Sequence, residues 1–141
     1  MPISKKPRKR HLIRPAECIG VDRTLLATRC WMALQILTES VGFSHEHYER
    51  LGMGLNICGR LVSGQSEMAV LQAAASQMLD MRRRHERTQA WTIDDTGKQV
   101  LIEALELCDC IWERSSPQQL YHVYCQLTHK LRRATAEAAA S

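Results

Sequence analysis

LIEALELCDCIWERSSPQQ, residues 101–119, contains the two clearest helix signals of the chain. Its apolar side chains recur with the 3.6-residue period of an α-helix, and its acidic side chains fall on the other side. The apolar set, which we expect to face a core, is Leu101, Ala104, Leu105, Cys108 and Trp112. The opposite set is Glu103, Glu106, Asp109, Cys110 and Glu113. This pattern predicts an amphipathic helix that ends near Arg114 and carries a solvated acidic surface.

The end of the same stretch predicts the start of another helix. Ser116 stands at the N-cap, Pro117 at the first helical position and Gln119 at the third, which is the arrangement of a capping box. The apolar residues that follow at helical spacing are Leu120, Val123, Tyr124, Leu127 and Leu131. We expect this helix to reach about residue 133, and residues 134–141 to fray as a tail.

The same periodicity upstream predicts three more helices and no strand. The second of them should begin after a Ser44 cap and the third after a Ser66 cap. The fold class is therefore all-α, with about five helices in one compact bundle. We expect a single helical domain over 22–133, in which the last two helices form a regular hairpin. The predicted helices cover 22–41, 44–64, 66–87, 95–114 and 116–133.

The second predicted helix contains three glycines, each of which costs roughly 1 kcal/mol relative to alanine. They are Gly52, Gly54 and Gly59. Either the helix is kinked here or a neighbouring backbone approaches it closely. Gly54 flanks the apolar stripe, which favours the close approach.

The length of 141 residues is typical of one domain, and no apolar run is long enough to span a membrane. The net charge of +4 has an uneven origin, since six of the 19 Lys and Arg residues lie in residues 1–14, where no acid occurs. The rest of the chain carries 13 cations against 15 acids, a net charge of −2. The basic character therefore belongs to an N-terminal arm, residues 1–21, which proline and like charges should keep disordered and flexible.

The arm supplies the candidate contacts to nucleic acid. Its cations could bind phosphates without reading bases, because no aromatic side chain stands among them. A solvated tail or a nuclear-localisation composition would look the same. The candidate residues are Lys5, Lys6, Arg8, Lys9, Arg10 and Arg14, assisted by Arg82, Arg83, Arg84 and Arg87 at the end of the third helix.

The first predicted helix is apolar on two sides, which one packing surface cannot cover. Trp31, Met32 and Ile36 lie off its core-facing stripe. Trp and Met are enriched in the centres of interfaces. These three residues are the candidate interface of a homodimer, of another helical assembly or of a protein partner.

Metal and catalytic signals are weak. His122, Cys125 and His129 share one side of the last helix, opposite its apolar stripe, which is more typical of incidental exposed residues than of a metal site. No catalytic motif is present, so we predict no catalytic residue, no cofactor and a non-enzymatic protein; a metal-dependent enzyme is the alternative. Without a secretion signal the cysteines should be reduced, with Cys30, Cys58 and Cys108 buried and two others, Cys110 and Cys125, exposed.

The layout resembles the small all-helical proteins with a basic N-terminal arm that phages, prophages and other mobile elements encode. The resemblance is carried by residues 5–10 through Arg14-Pro15, by residues 101–107 and by residues 131–134, although Cys108 stands where that pattern has His. It implies a cytoplasmic setting in a bacterium or a phage host, and no reaction. The expected function is that of an accessory protein that binds a macromolecule, foremost a protein partner, for example to inhibit a host system. Nucleic-acid binding through the arm is the alternative.

Overall fold

The computed structural model describes residues 22–39 and 42–140, in which five α-helices and no strand occur. This confirms the predicted all-α class with five helices. None of the helices is long and apolar enough to cross a membrane in the described part of the chain. The basic arm lies outside the described residues. The helices are α1 (Arg23–Glu39), α2 (His45–Leu61), α3 (Gln65–Thr88), α4 (Asp95–Arg114) and α5 (Pro117–Ala140).

Helix α2 lies at the centre of the bundle, because it packs against all four other helices. Helix α4 packs against α1, α2 and α3. The chain therefore builds one core, and α5 is added to it mainly through α2. The predicted hairpin of the last two helices is wrong in this respect. The apolar side of α4 is already covered by the three earlier helices, so α5 crosses to α2.

The predicted capping box at Ser116 and the predicted cap at Ser44 are both present, and they fix where α5 and α2 begin. The backbone N–H of Gln119 donates to Ser116 Oγ at 3.1 Å, and that of Ser116 donates to Gln119 Oε1 at 2.9 Å. At α2, Ser44 exchanges the corresponding bonds with His47. Each box satisfies N–H groups that the first helical turn leaves unpaired.

Other predicted helix ends were wrong. Helix α3 begins at Gln65, with Gly64 as an N-cap that offers no side chain, so Ser66 is not the cap. Helix α2 ends at Leu61 rather than near Gly64. Helix α5 continues to Ala140, so the described part of the tail that was expected to fray is helical. Its alanines have the highest helix propensity, which explains the extension.

The core is tightly packed around Gly54, midway along α2. A Cβ built on Gly54 would overlap Cys30 Sγ and would stand 3.3 Å from Trp112 Cζ2. The glycine therefore lets α1 and α4 approach the same point of α2. The structure confirms close packing at Gly54, but the approaching atoms belong to side chains and not to a neighbouring backbone. The helix runs without interruption through all three glycines. At Gly59, by contrast, nothing lies within 4 Å of an added Cβ.

These two glycines form a matched pair for mutation. Gly54→Ala should lower the free energy of unfolding by about 1–3 kcal/mol, because the Cβ forces Cys30 and the Trp112 ring apart. Gly59→Ala should raise it by about 0.5–1 kcal/mol, because alanine favours the helix and meets no neighbour. Chemical denaturation followed by circular dichroism measures both. Equal effects of the two substitutions would contradict the packing described here.

Candidate functional site

An apolar groove of about 630 Å³ runs along α2. Helix α2 forms its floor, α3 forms one wall, and Leu131 of α5 closes the other side. We call this feature the α2 groove. The residues that line it are His45, Tyr48, Glu49, Gly52, Met53, Leu55, Asn56, Ala75, Met78, Leu79, Arg82 and Leu131.

Small residues keep the α2 groove open. A Cβ on Gly52 would lie 3.8 Å from Met78 Cε, so the missing side chain leaves space between the α2 floor and the Met78 thioether of the α3 wall. Ala75 lies one turn before Leu79 on the facing helix, where a larger side chain would fill the space. The sequence alone indicated only that Gly52 weakened the helix.

The rim of the α2 groove exposes large apolar side chains to solvent. Leu79 is 46% exposed and Leu131 is 58% exposed. Among the described residues one further large apolar side chain is exposed, Met32 at 55%. Two of the three therefore border the same groove, which concentrates the accessible apolar surface at one place.

The charged residues of the rim are paired within their own helices. His45 Nε2 lies 3.1 Å from Glu49 Oε1, and Arg82 Nε lies 3.3 Å from Glu86 Oε1. All four side chains are more than half exposed, so these pairs contribute little stability. The pairs leave the apolar floor accessible and give it a polar border, which is the anatomy of a protein interface.

An aromatic cluster around Trp91 fixes one end of the α2 groove. The Trp91 ring stacks on His85 at 3.9 Å and on Tyr48 at 5.0 Å, and Phe43 meets it edge-on at 5.4 Å. Tyr48 also donates its hydroxyl to the carbonyl of Met78 at 3.0 Å. These contacts join α2, α3 and the loop before α4.

The partial burial of Tyr48 in this cluster raises the pKa of its hydroxyl, because the phenolate would lose solvation. The phenol therefore remains a donor at physiological pH. Sequence reasoning missed the Trp91 cluster because its rings come from three separate segments. The available signal was an isolated tryptophan in a polar loop that follows a histidine at the end of α3.

The predicted interface on α1 is reduced to one exposed residue. Trp31 is half-buried, and its indole N–H donates to Asp109 Oδ2 of α4 at 3.0 Å. Ile36 is also half-buried, whereas Met32 is exposed. The second apolar side of α1 is thus partly covered by contacts within the same chain.

Of the four arginines at the end of α3, two have partners within the chain and two line an open cleft. Arg82 is paired with Glu86, and Arg84 donates to the carbonyl of Thr92 at 3.0 Å. Arg83 and Arg87 lie one turn apart and line a cleft of about 500 Å³. Asp80 and Glu86 line the same cleft, so it is only weakly basic. The candidate residues of the arm lie outside the described residues.

The weak metal candidate does not form a converged site. His122, Cys125 and His129 are all exposed on α5, and His122 Nε2 lies 3.1 Å from the amide nitrogen of Gln126. Within residues 22–39 and 42–140, no three His, Cys, Asp or Glu side chains lie close enough to hold a metal ion.

Comparisons with protein family models, with curated proteins and with solved structures give no match to this chain.

The cysteines divide into a buried and an exposed class, as predicted. Cys30, Cys58 and Cys108 are buried, and Cys110 and Cys125 are exposed. Burial raises the pKa of Cys30 to about 12, and it raises that of Cys58 further, where Cys108 adds a hydrogen bond. Because the thiolate is the reactive form, the buried thiols of Cys30 and Cys58 should be inert.

Alkylation of the native protein should therefore modify Cys110 and Cys125 and leave Cys30, Cys58 and Cys108 unmodified. Mass spectrometry after a short iodoacetamide treatment at pH 8 measures this, and the same treatment in denaturant should modify all six cysteines of the chain. Modification of Cys58 at the rate of Cys110 in the native protein would show that the core is open.

Proposed function

We propose that the protein is a non-enzymatic binding protein whose α2 groove receives the apolar side of a helix from a protein partner. The observation that carries the proposal is the position of Leu79 and Leu131, two exposed leucines on opposite sides of one apolar floor. The proposed setting, a cytoplasmic accessory protein of a phage or other mobile element, rests on the resemblance of the sequence.

The energetics favour this use of the α2 groove. Burying a fully exposed leucine contributes about 1.5–3 kcal/mol. Leu79 and Leu131 are about half exposed, so covering each of them contributes roughly half of that to the free energy of binding. A groove between helices fits an amphipathic helix, which places residues at i, i+3, i+4 and i+7 against the floor. The Trp91 cluster holds one end of the groove in place, which lowers the ordering cost of binding.

The lining chemistry suits recognition better than catalysis. Its charged groups are exposed and lie in pairs, Arg82 with Glu86 and Glu49 with His45. Among the described residues no buried charged or polar residue stands in the core beneath it. The specificity of the groove would therefore come from the shape of its floor and the polar rim.

Leu79→Glu tests the α2 groove as a partner site, with Met32→Glu as the matched control at an exposed residue that does not line the groove. A protein captured from host lysate with the wild-type chain is purified and its affinity for each variant is measured by calorimetry. Leu79→Glu should weaken binding about 10- to 100-fold, because a carboxylate cannot enter the apolar floor. Met32→Glu should leave the affinity unchanged. An equal loss in both variants, or none in Leu79→Glu, would contradict the proposal.

A second candidate function is nucleic-acid binding through the arm, supported by the exposed Arg83 and Arg87. These two guanidiniums are not used in the ion pairs of α3, so they can contact phosphates. The net charge of −2 on residues 15–141 makes the body a poor binder by itself. The arm would therefore supply most of the affinity.

Removal of residues 1–14 should abolish most binding to duplex DNA and leave the helical circular-dichroism signal intact. About four to six phosphate contacts predict a slope of roughly −4 to −5 for log K against log salt. The double variant Arg83→Gln, Arg87→Gln should make the slope shallower, whereas Arg82→Gln should change it less, since Arg82 is already paired. Unchanged affinity after removal of the arm would refute this candidate.

A further inference from the structure

The last turns of α5 extend beyond the bundle. Every residue from Lys130 to Ala140 is exposed. At 1.5 Å per residue this projecting segment is roughly 16 Å long. Helix propensity keeps this segment helical as a continuation of α5, but none of its side chains is buried in the single chain.

The projecting segment carries an apolar stripe that continues the buried stripe of α5. Leu120 and Val123 are buried against the core, and Leu127 is half-buried. Leu131 and Ala134 follow on the same side, but they are exposed. The apolar stripe of α5 therefore continues past the end of the core. Leu131, in the exposed part of the stripe, lies at the edge of the α2 groove.

We propose that a second copy of this chain covers both surfaces. In this dimer the projecting segment of each copy lies in the α2 groove of the other. The contact is made twice about a two-fold axis, as in most homodimers. The proposal rests on the proposed function, since it uses the same groove, and it names the occupant of the groove when no other partner is bound.

Charge supports the second copy as the occupant. The projecting segment contains Lys130, Arg132 and Arg133 against one acid, Glu137, which pairs with Arg133 at 3.6 Å. Two charged residues besides His45 line the α2 groove, Glu49 and Arg82. Arg82 is already paired with Glu86, whereas the partner of Glu49 is a histidine rather than a permanently charged residue. A segment with an excess of cations thus approaches a wall with a weakly compensated carboxylate.

The apolar surfaces also match. The groove offers Met78, Leu79 and the open space at Gly52, while the projecting segment offers a leucine and an alanine one helical turn apart. The small Ala134 allows a close approach of the two helices. Glutamate at either Leu79 or Ala134 would place a charge in the contact, and both positions are exposed in the single chain, so neither change disturbs the core.

The test is light scattering and sedimentation of the full chain at tens of micromolar. The wild type and Met32→Glu should be dimers, whereas Leu79→Glu and Ala134→Glu should raise the dimer Kd roughly tenfold or more, with unchanged circular dichroism. Mixing the two defective variants is the decisive step. One contact of the mixed dimer carries both changes, and the other joins an intact groove to an intact segment. The mixture should therefore form more dimer than either variant alone.

A monomeric wild type would overturn the inference, and so would a dimer that Met32→Glu disrupts and Leu79→Glu does not. Failure of the mixture to recover dimer would exclude the reciprocal contact. None of these results bears on capture of a foreign partner by the α2 groove. Conversely, a foreign partner insensitive to Leu79→Glu would refute the proposed function and leave the dimer test unaffected.

Discussion

The contact of Gly54 with Cys30 and Trp112 is the constraint on which the rest of the structure depends. It lets α1 and α4 meet α2 at one point, and α2 thereby becomes the axis that every other helix touches. Because three helices already cover the apolar side of α4, α5 packs on α2 instead. The position of α5 then places Leu131 beside the α2 groove. A local absence of a side chain thus determines where the exposed apolar surface lies.

Much of the fold could be predicted from the sequence, because it depends on local signals. Three kinds of signal are local in this sense: the periodicity of residues 101–112, the cap at Ser44 with the capping box at Ser116, and the burial of Cys30, Cys58 and Cys108. The close packing of neighbouring helices at Gly54 could be predicted because this glycine stands beside an apolar stripe. Helix ends were less predictable, since alanine-rich segments such as 134–140 continue a helix without a stop signal.

The candidate site could not be predicted in the same way. The α2 groove combines residues from α2, α3 and α5, and its existence depends on how those helices cross. Trp31 was interpreted as an interface residue because its partner, Asp109, lies on a distant helix and periodicity cannot identify it. The Trp91 cluster could not be predicted for the same reason, since its rings come from separate segments of the chain. Side chains that come from distant segments and meet only in the folded protein produce no regular spacing in the sequence.

A groove that serves both a second copy and a foreign helix would couple the two events. A partner that competes for the same floor must displace the projecting segment, so its apparent affinity falls as the protein concentration rises. Self-association would also keep Leu79 and Leu131 covered until a partner arrives, which limits non-specific aggregation. Binding of a partner and formation of the dimer would then exclude each other, because both use the α2 groove.

Hydrogen exchange measured by mass spectrometry over a range of protein concentrations tests the central claim most directly. The account predicts that amides of residues 51–58 exchange slowest at every concentration, because they lie at the centre of the bundle. It predicts that residues 130–140 become protected only as the concentration rises, when a second copy covers them. Rapid exchange at residues 51–58, or the same exchange at residues 130–140 in dilute and concentrated protein, would contradict it.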